Sequence, residues 1–136
     1  FKGVMLNHSE HKLKYDDLEC VVKLLRSQKI ATLICVSTIS EIKKVAKLKP
    51  TFIAYEPKAL IGKEISVTTS KPQIILKAKE TINTYSPKTK LIVGAGIHSA
   101  EDIGQAFMLN TNGVLIGHAV PKSKNPKKML ESLLID

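Results

Sequence analysis

Gly3-Val4-Met5-Leu6-Asn7-His8-Ser9-Glu10 is an apolar run without polar alternation that stops at a histidine and a carboxylate. A short continuous apolar run of this kind marks a strand buried on both faces, as in a parallel sheet. The same pattern recurs along the chain. The predicted strands are Gly3–Asn7, Ala31–Val36, Thr51–Tyr55, Leu91–Val93 and Gly113–Ile116.

Between these runs apolar residues recur at helical spacing. Leu18, Val21, Val22 and Leu25 share one face, with Asp16 or Asp17 available as the N-cap. Thr38-Ile39-Ser40-Glu41 has the spacing of a capping box ahead of an apolar stripe of Ile42, Val45 and Ala46. Pro72 fits the first turn of a helix that turns Ile74, Ile75, Ala78 and Ile82 inward. Ser99 can cap a helix holding Ile103, Ala106 and Phe107, and Asn125-Pro126 opens a last helix in which Met129, Leu130, Leu133 and Leu134 are expected to pack.

Strand and helix alternating in this way imply an α/β protein with a parallel sheet, either open and doubly wound or closed into a barrel. The five units are too few to close an eight-stranded (β/α) barrel, which takes about 250 residues. The 136 residues are expected to form a single domain. They are either a complete open sheet or the back portion of a barrel, and the residues at the strand ends decide which.

The bulk composition narrows the function. The apolar share of 43% supplies a core, and no run reaches the length of a membrane helix. The start of the chain lacks the pattern of a signal peptide, so a cytoplasmic protein is expected. Cys20 and Cys35 give neither a disulfide framework nor a metal spacing, and both are expected as reduced core residues. The net charge of +9 invites nucleic acid or an anionic substrate. The 21 basic residues are spread along the chain, however, with one cluster at Lys122, Lys124, Lys127 and Lys128, and aromatics are only 4%. Solvation of helix faces is therefore the favoured reading, and nucleic acid is not the expected partner.

The chemistry sits where the apolar runs end. His8 and Glu56, the latter in Tyr55-Glu56-Pro57, follow two of the predicted parallel strands and can face one pocket. A histidine beside a carboxylate suits moving a proton next to a carbonyl. Gly94-Ala95-Gly96 and Gly117 lie at two further strand ends, where bare backbone N–H groups can hold a phosphate. These residues point to an enzyme acting on a small phosphorylated carbonyl compound.

In order and spacing, these motifs resemble the triosephosphate isomerase family in its shorter, archaeal form. Gly3 through Glu10 resembles the family's fourth strand and electrophile loop, and Ala54-Tyr55-Glu56-Pro57 with Leu60-Ile61-Gly62 its sixth strand, base and lid. Gly94-Ala95-Gly96-Ile97 with Ser99, Glu101 and Asp102 resembles the seventh-strand phosphate loop, Gly113–Ile116 the eighth strand, and Lys124–Pro126 the start of the last helix. The resemblance implies a (β/α)8 TIM barrel of which this chain supplies five βα units, strands four to eight. The first three units, with the family's first-strand asparagine and lysine, are not matched, and no Asn-x-Lys at a strand end replaces them.

By the same resemblance Glu56 is the general base, His8 the electrophile and Glu10 a supporting residue. Ile61, Gly62, Gly96, Gly117 and His118 bind the phosphate, and Lys58–Lys63 form the lid. The implied reaction interconverts glyceraldehyde 3-phosphate and dihydroxyacetone phosphate through an enediolate, in glycolysis and gluconeogenesis, with no cofactor and no metal. A homotetramer is the implied assembly. The 136 residues alone are expected to turn over little, for want of the first-strand lysine. This chain departs from the family pattern at Gly117-His118, where alanine and serine are usual. It departs again at Gly62-Lys63-Glu64, where Gly-Thr-Gly is common, and at Lys58 and Ala59, which replace a proline and a glutamate. The alternative is a divergent or non-catalytic phosphate-binding α/β protein, extending to a basic module for nucleic acid or an acidic partner.

Overall fold

Each predicted run becomes a strand that pairs in parallel with its neighbours in sequence, giving one sheet of order β1-β2-β3-β4-β5. The computed structural model describes residues 1–63 and 65–134. Glu64, named above as part of the altered lid, lies outside the described residues. The strands are β1 (Gly3–Leu6), β2 (Ala31–Val36), β3 (Phe52–Tyr55), β4 (Lys90–Gly94) and β5 (Gly113–Leu115). The helices are α1 (Tyr15–Ser27), α2 (Ile39–Ala46), α3 (Val67–Ser70), α4 (Pro72–Tyr85), α5 (Ala100–Met108) and α6 (Pro126–Ser132). A 3₁₀ turn, Lys58–Leu60, follows β3.

The strand order decides between the two architectures. Right-handed crossovers that always step to the next strand on the same side place every helix on one face of the sheet. A doubly wound sheet instead reverses its order partway and covers both faces. This sheet never reverses, so it is a stretch of barrel wall, with β1 and β5 as its edges.

Side-chain alternation assigns the two faces. Ile34 and Val36, Ile53 and Tyr55, and Leu91 and Val93 belong to the main core, with Leu18, Val22, Ile42, Ile75, Ala78 and Ile82 from the helices. The other face carries a smaller cluster of Cys35, Ala54 and Ile92, flanked by Leu33, Phe52 and Leu115. Cys35 pairs with Ala54 and Ala54 with Ile92, so the three form one row across the inner wall.

Several local expectations are corrected. The N-cap of α1 is Lys14, with no side-chain bond; Asp16 and Asp17 fall in the first turn, where their charge meets the positive helix end. Thr38 caps α2 by accepting from Glu41 N at 3.1 Å, but the Glu41 carboxylate accepts from Ser37 N at 2.6 Å rather than from Thr38. The reciprocal box occurs at α5 instead, between Ser99 and Asp102. Cys20 is exposed, because the inward face of α1 is set by Leu18 and Val22 and a residue two positions on from Leu18 points away. Cys35 is buried as expected. In α6 and just after it, Leu133 is buried and Met129 half-buried, while Leu130 and Leu134 face solvent. β1 ends one residue early because Asn7 turns into the left-handed region at φ 61°.

Candidate active site

The row above Cys35, Ala54 and Ile92 is where β3 and β4 end. Phe52, Ala54 and Glu56 alternate onto the inner face, and Glu56 N donates to Val36 O at 2.8 Å, which extends the ladder by one residue. Tyr55 is opposite Val93, so Glu56 lies beside Gly94. A β-carbon on Gly94 would stand 2.7 Å from Glu56 Oε1 and 2.9 Å from its Cγ. Gly94 thus provides the space that the carboxylate occupies.

Asn7 sets the geometry on the β1 side. Its Nδ2 donates to Cys35 O at 2.9 Å, and its Oδ1 accepts from Leu13 N at 3.0 Å. This clamp joins the turn after β1 to the end of β2 and presents His8. His8 Nε2 stands 3.7 Å from Glu56 Oε2. The other ring nitrogen, Nδ1, accepts a long 3.5 Å contact from Glu10 N. That contact favours the tautomer with its proton on Nε2, the nitrogen that faces Glu56. Glu10 therefore acts on the ring through its backbone, and its carboxylate, 3.5 Å from Nδ1, is largely solvated.

Glu56 is 7% exposed and its Oε2 has no hydrogen-bond partner among the described residues. Burial raises its pKa above the ordinary carboxylate value, with His8, the Cys35 thiol and Lys12 working in the opposite direction. Burial and the adjacent Glu56 charge push the Cys35 thiol up to about 12, so it stays protonated and donates. The result is a nearly dry carboxylate of increased basicity facing an imidazole.

His8, Glu10, Glu56, Ile61, Gly62, Gly96, Gly117 and His118 line one cavity of about 660 Å³, whereas Gly94 and the lid residues Lys58, Ala59 and Leu60 do not. Lys63, expected as part of the lid, joins them, as do His98 and Lys122, neither of which was assigned a site role from the sequence. The glycines differ in their reasons. Gly96 has φ +73°, and a β-carbon there would meet Ile65 O at 2.1 Å, so it is needed where the loop after β4 crosses the end of the lid segment. Val67 N donates to Ala95 O at 3.2 Å across the same junction. A β-carbon on Gly117 would meet nothing within 4 Å. Gly62, at φ +71°, has the His118 ring against it, with Cε1 3.7 Å from the position of an added β-carbon.

Asp102 braces the loop that carries Gly96. Its Oδ2 accepts from His98 N at 3.2 Å, Ser99 N at 3.2 Å and Ser99 Oγ at 2.8 Å. His98 Nδ1 also lies 2.6 Å from Gly96 O. Asp102→Ala is expected to cost about 2 kcal/mol, because it leaves the part-buried His98 and Ser99 donors without their acceptor and removes the reciprocal half of the α5 capping box, whose Ser99 cap remains. Urea denaturation measures it, and a change within experimental error would show that the brace is not needed.

Four residues escaped sequence reasoning. Gly94 stood in a quoted motif, but only register shows that it faces Glu56. Asn7 lay in the opening motif, yet its clamp depends on Cys35 and Leu13. His98 gave no local signal, and Lys122 was noticed only as part of a basic cluster.

The comparisons concern the fold and the family. Among solved structures, a mutant flavocytochrome b2 with pyruvate bound is similar at a TM-score of 0.66 and 17% identity, over 89% of this chain and 32% of that one. A mandelate oxidase is similar at 0.67 and 15%, over 90% and 37%. At such identities these likenesses concern the fold alone. In sequence, the triosephosphate isomerase of Methanothermus fervidus is 37% identical over 135 residues, and that of Thermoplasma volcanium is 39% identical over 132. These alignments take in 99% and 97% of this chain, which spans about three-fifths of the relatives' length, 61% in both cases. The family model described as triosephosphate isomerase matches residues 1–133, nearly the full length and every strand end described above. By that match this chain belongs to the triosephosphate isomerase family.

Proposed function

We propose that this chain supplies the base, the electrophile and the phosphate cradle of a triosephosphate isomerase, within a partial (β/α)8 domain formed by residues 1–136. The observation that carries the reading is the buried Glu56 Oε2, without a hydrogen-bond partner among the described residues, facing His8 Nε2 across 3.7 Å inside a glycine-edged cavity. Glu56 takes the proton from the hydroxyl-bearing carbon of dihydroxyacetone phosphate and returns it to the former carbonyl carbon. His8 donates from Nε2 to the oxygens on which enediolate charge develops. The pairing of a glutamate base with a neutral histidine is known from this family itself. Backbone N–H groups near Ile61, Gly62, Gly96 and Gly117 hold the phosphate, with His118 beside Gly62 adding a ring donor.

The family reading carries further proposals. These are a phosphorylated triose as substrate, a place in glycolysis and gluconeogenesis, a cytoplasmic location and a homotetramer. No helix of the described residues is long and apolar enough to cross a membrane. Full turnover also calls for the family's first-strand lysine, so the chain alone is expected to be nearly inactive. Adding the first three βα units of an archaeal relative is expected to restore isomerisation.

Gly94→Ala tests the reading in that complemented protein. The added methyl displaces the carboxylate by a few tenths of an ångström or more, since the atoms it meets belong to the Glu56 side chain. Misplacement on the ångström scale lowers kcat/KM by about 10²-fold. The loss should fall on kcat rather than KM. Unchanged kcat would remove Glu56 from the base role.

A further inference from the structure

We infer that the opposite end of the sheet carries a second anion site, a cleft in which Arg26, Lys29 and Lys49 receive the di- or triphosphate group of a small ligand. The cleft has a volume of about 280 Å³ and lies where β2 and β3 begin, with Thr32 and Thr51 on its floor. Thr51 starts the run that ends at Glu56, so at strand rise the cleft is roughly 16 Å from the cavity described above.

The cleft is built for negative charge. The segments that form it, residues 26–32 and 47–51, contain Arg26, Lys29, Lys47 and Lys49 and no aspartate or glutamate. Arg26 Nη2 donates to the carbonyls of Leu48 and Lys49, which ties the end of α1 to the end of α2 and holds the walls together. Thr32 N donates to Thr51 Oγ1 at 3.3 Å and Thr51 N to Thr32 Oγ1 at 3.4 Å. Among the described residues neither hydroxyl proton has an acceptor; Thr32 is buried, and the exposed Thr51 hydroxyl can be given to a ligand oxygen.

The two lysines hold an unfavourable backbone conformation. Lys29 has φ 57° and Lys49 φ 51°, in the left-handed turns that close α1 and α2. Glycine or asparagine suits such a turn, and Asn110, at φ 59°, fills it after α5. Compensation of the helix dipole does not demand a cation at every helix end here, since α4 and α5 have no basic residue in their last turns. Two lysines placed against local preference on one acid-free cleft are accounted for by a ligand that both contact. The small volume and the aromatic share of 4% favour a compact phosphate group over a stacked nucleic-acid strand.

Titration calorimetry with tripolyphosphate tests this independently of the isomerase reading. The protein is expected to show saturable binding that Lys29→Asn/Lys49→Asn weakens about tenfold or more. Asparagine accepts the left-handed turn, so the urea midpoint of that variant should not fall. Lys23→Gln, which removes a cation paired with Glu19 at 3.0 Å elsewhere on α1, should change binding less than twofold. Lys122→Gln separates any binding in the main cavity and should leave the Lys29- and Lys49-dependent event intact. ATP binding more tightly than tripolyphosphate would identify a nucleotide, and equal affinity a phosphate chain; both support the site. Equal binding by the parent and the Lys29→Asn/Lys49→Asn variant, or no saturable binding at millimolar tripolyphosphate, would overturn it.

Discussion

Replacing Glu56 by glutamine is expected to remove proton transfer and, at the same time, to make the protein more stable at neutral pH. An amide cannot take up the proton, so in the complemented protein the isomerase rate should fall by about 10²- to 10⁴-fold. The stability gain follows from burial. The folded carboxyl has a raised pKa, so between the unfolded and folded values the native state holds a proton that the unfolded chain has released. Stability contributed by this group is therefore lost as pH rises through that window and stays lost above it. Glu56→Gln removes this penalty. The gain at pH 7 to 8 should be about 1 kcal/mol, or a Tm increase of about 3 °C. It should vanish below the ordinary glutamate value of 4.5, where both states are protonated. Thermal denaturation of both proteins across that range measures the effect. A variant less stable than its parent at pH 8 would mean that Glu56 is held by a partner and is not poised as a base.

Gly96→Ala is expected to be the most damaging small substitution in the site. The residue sits at φ +73°, where a β-carbon costs about 1–2 kcal/mol. That carbon would also lie 2.1 Å from Ile65 O, 2.6 Å from its carbonyl carbon and 2.9 Å from Ser66 Cα. These are backbone atoms, so no rotamer change relieves the clash, and overpacking adds about 1–3 kcal/mol. A total near 3 kcal/mol is a large fraction of a typical domain's stability. The Val67 amide, which donates to Ala95 O across the same junction, should lose hydrogen-exchange protection. Gly117→Ala is the matched contrast: a β-carbon there meets nothing, so stability should change by less than about 0.5 kcal/mol. Equal destabilisation by the two substitutions would contradict the distinction drawn between them.

The sequence made the strands legible because buried parallel strands are continuous apolar runs, and such runs stand out wherever polar helix faces separate them. The site residues were legible for a related reason: in a parallel sheet, whatever follows each run lands at the same end. The bounded errors came from features with no local signature. Cys20 has a core-like composition but the wrong phase on α1, and Leu130 and Leu134 have the right spacing on a segment with little to cover them. Glu41 matched the capping-box spacing, yet its carboxylate reached one residue further back, while Asp102 took the reciprocal role unannounced. The need for Gly94 was invisible because it arises only once Tyr55 is set opposite Val93. Register is a property of two strands, and one strand's residues do not contain it. Gly96 was read as a glycine that lets a phosphate approach; the second demand on it, that its β-carbon position is closed by the protein's own backbone, had no sign in the sequence.

Solvent deuterium exchange into dihydroxyacetone phosphate, followed by proton NMR, tests most directly whether the Glu56 carboxylate moves a proton at a triose phosphate. In the chain complemented with a relative's first three βα units, deuterium should enter the hydroxyl-bearing carbon at a rate that Glu56→Gln reduces about 10²-fold or more. Exchange that continues in Glu56→Gln within a few-fold of the parent rate would show that some other group does the work.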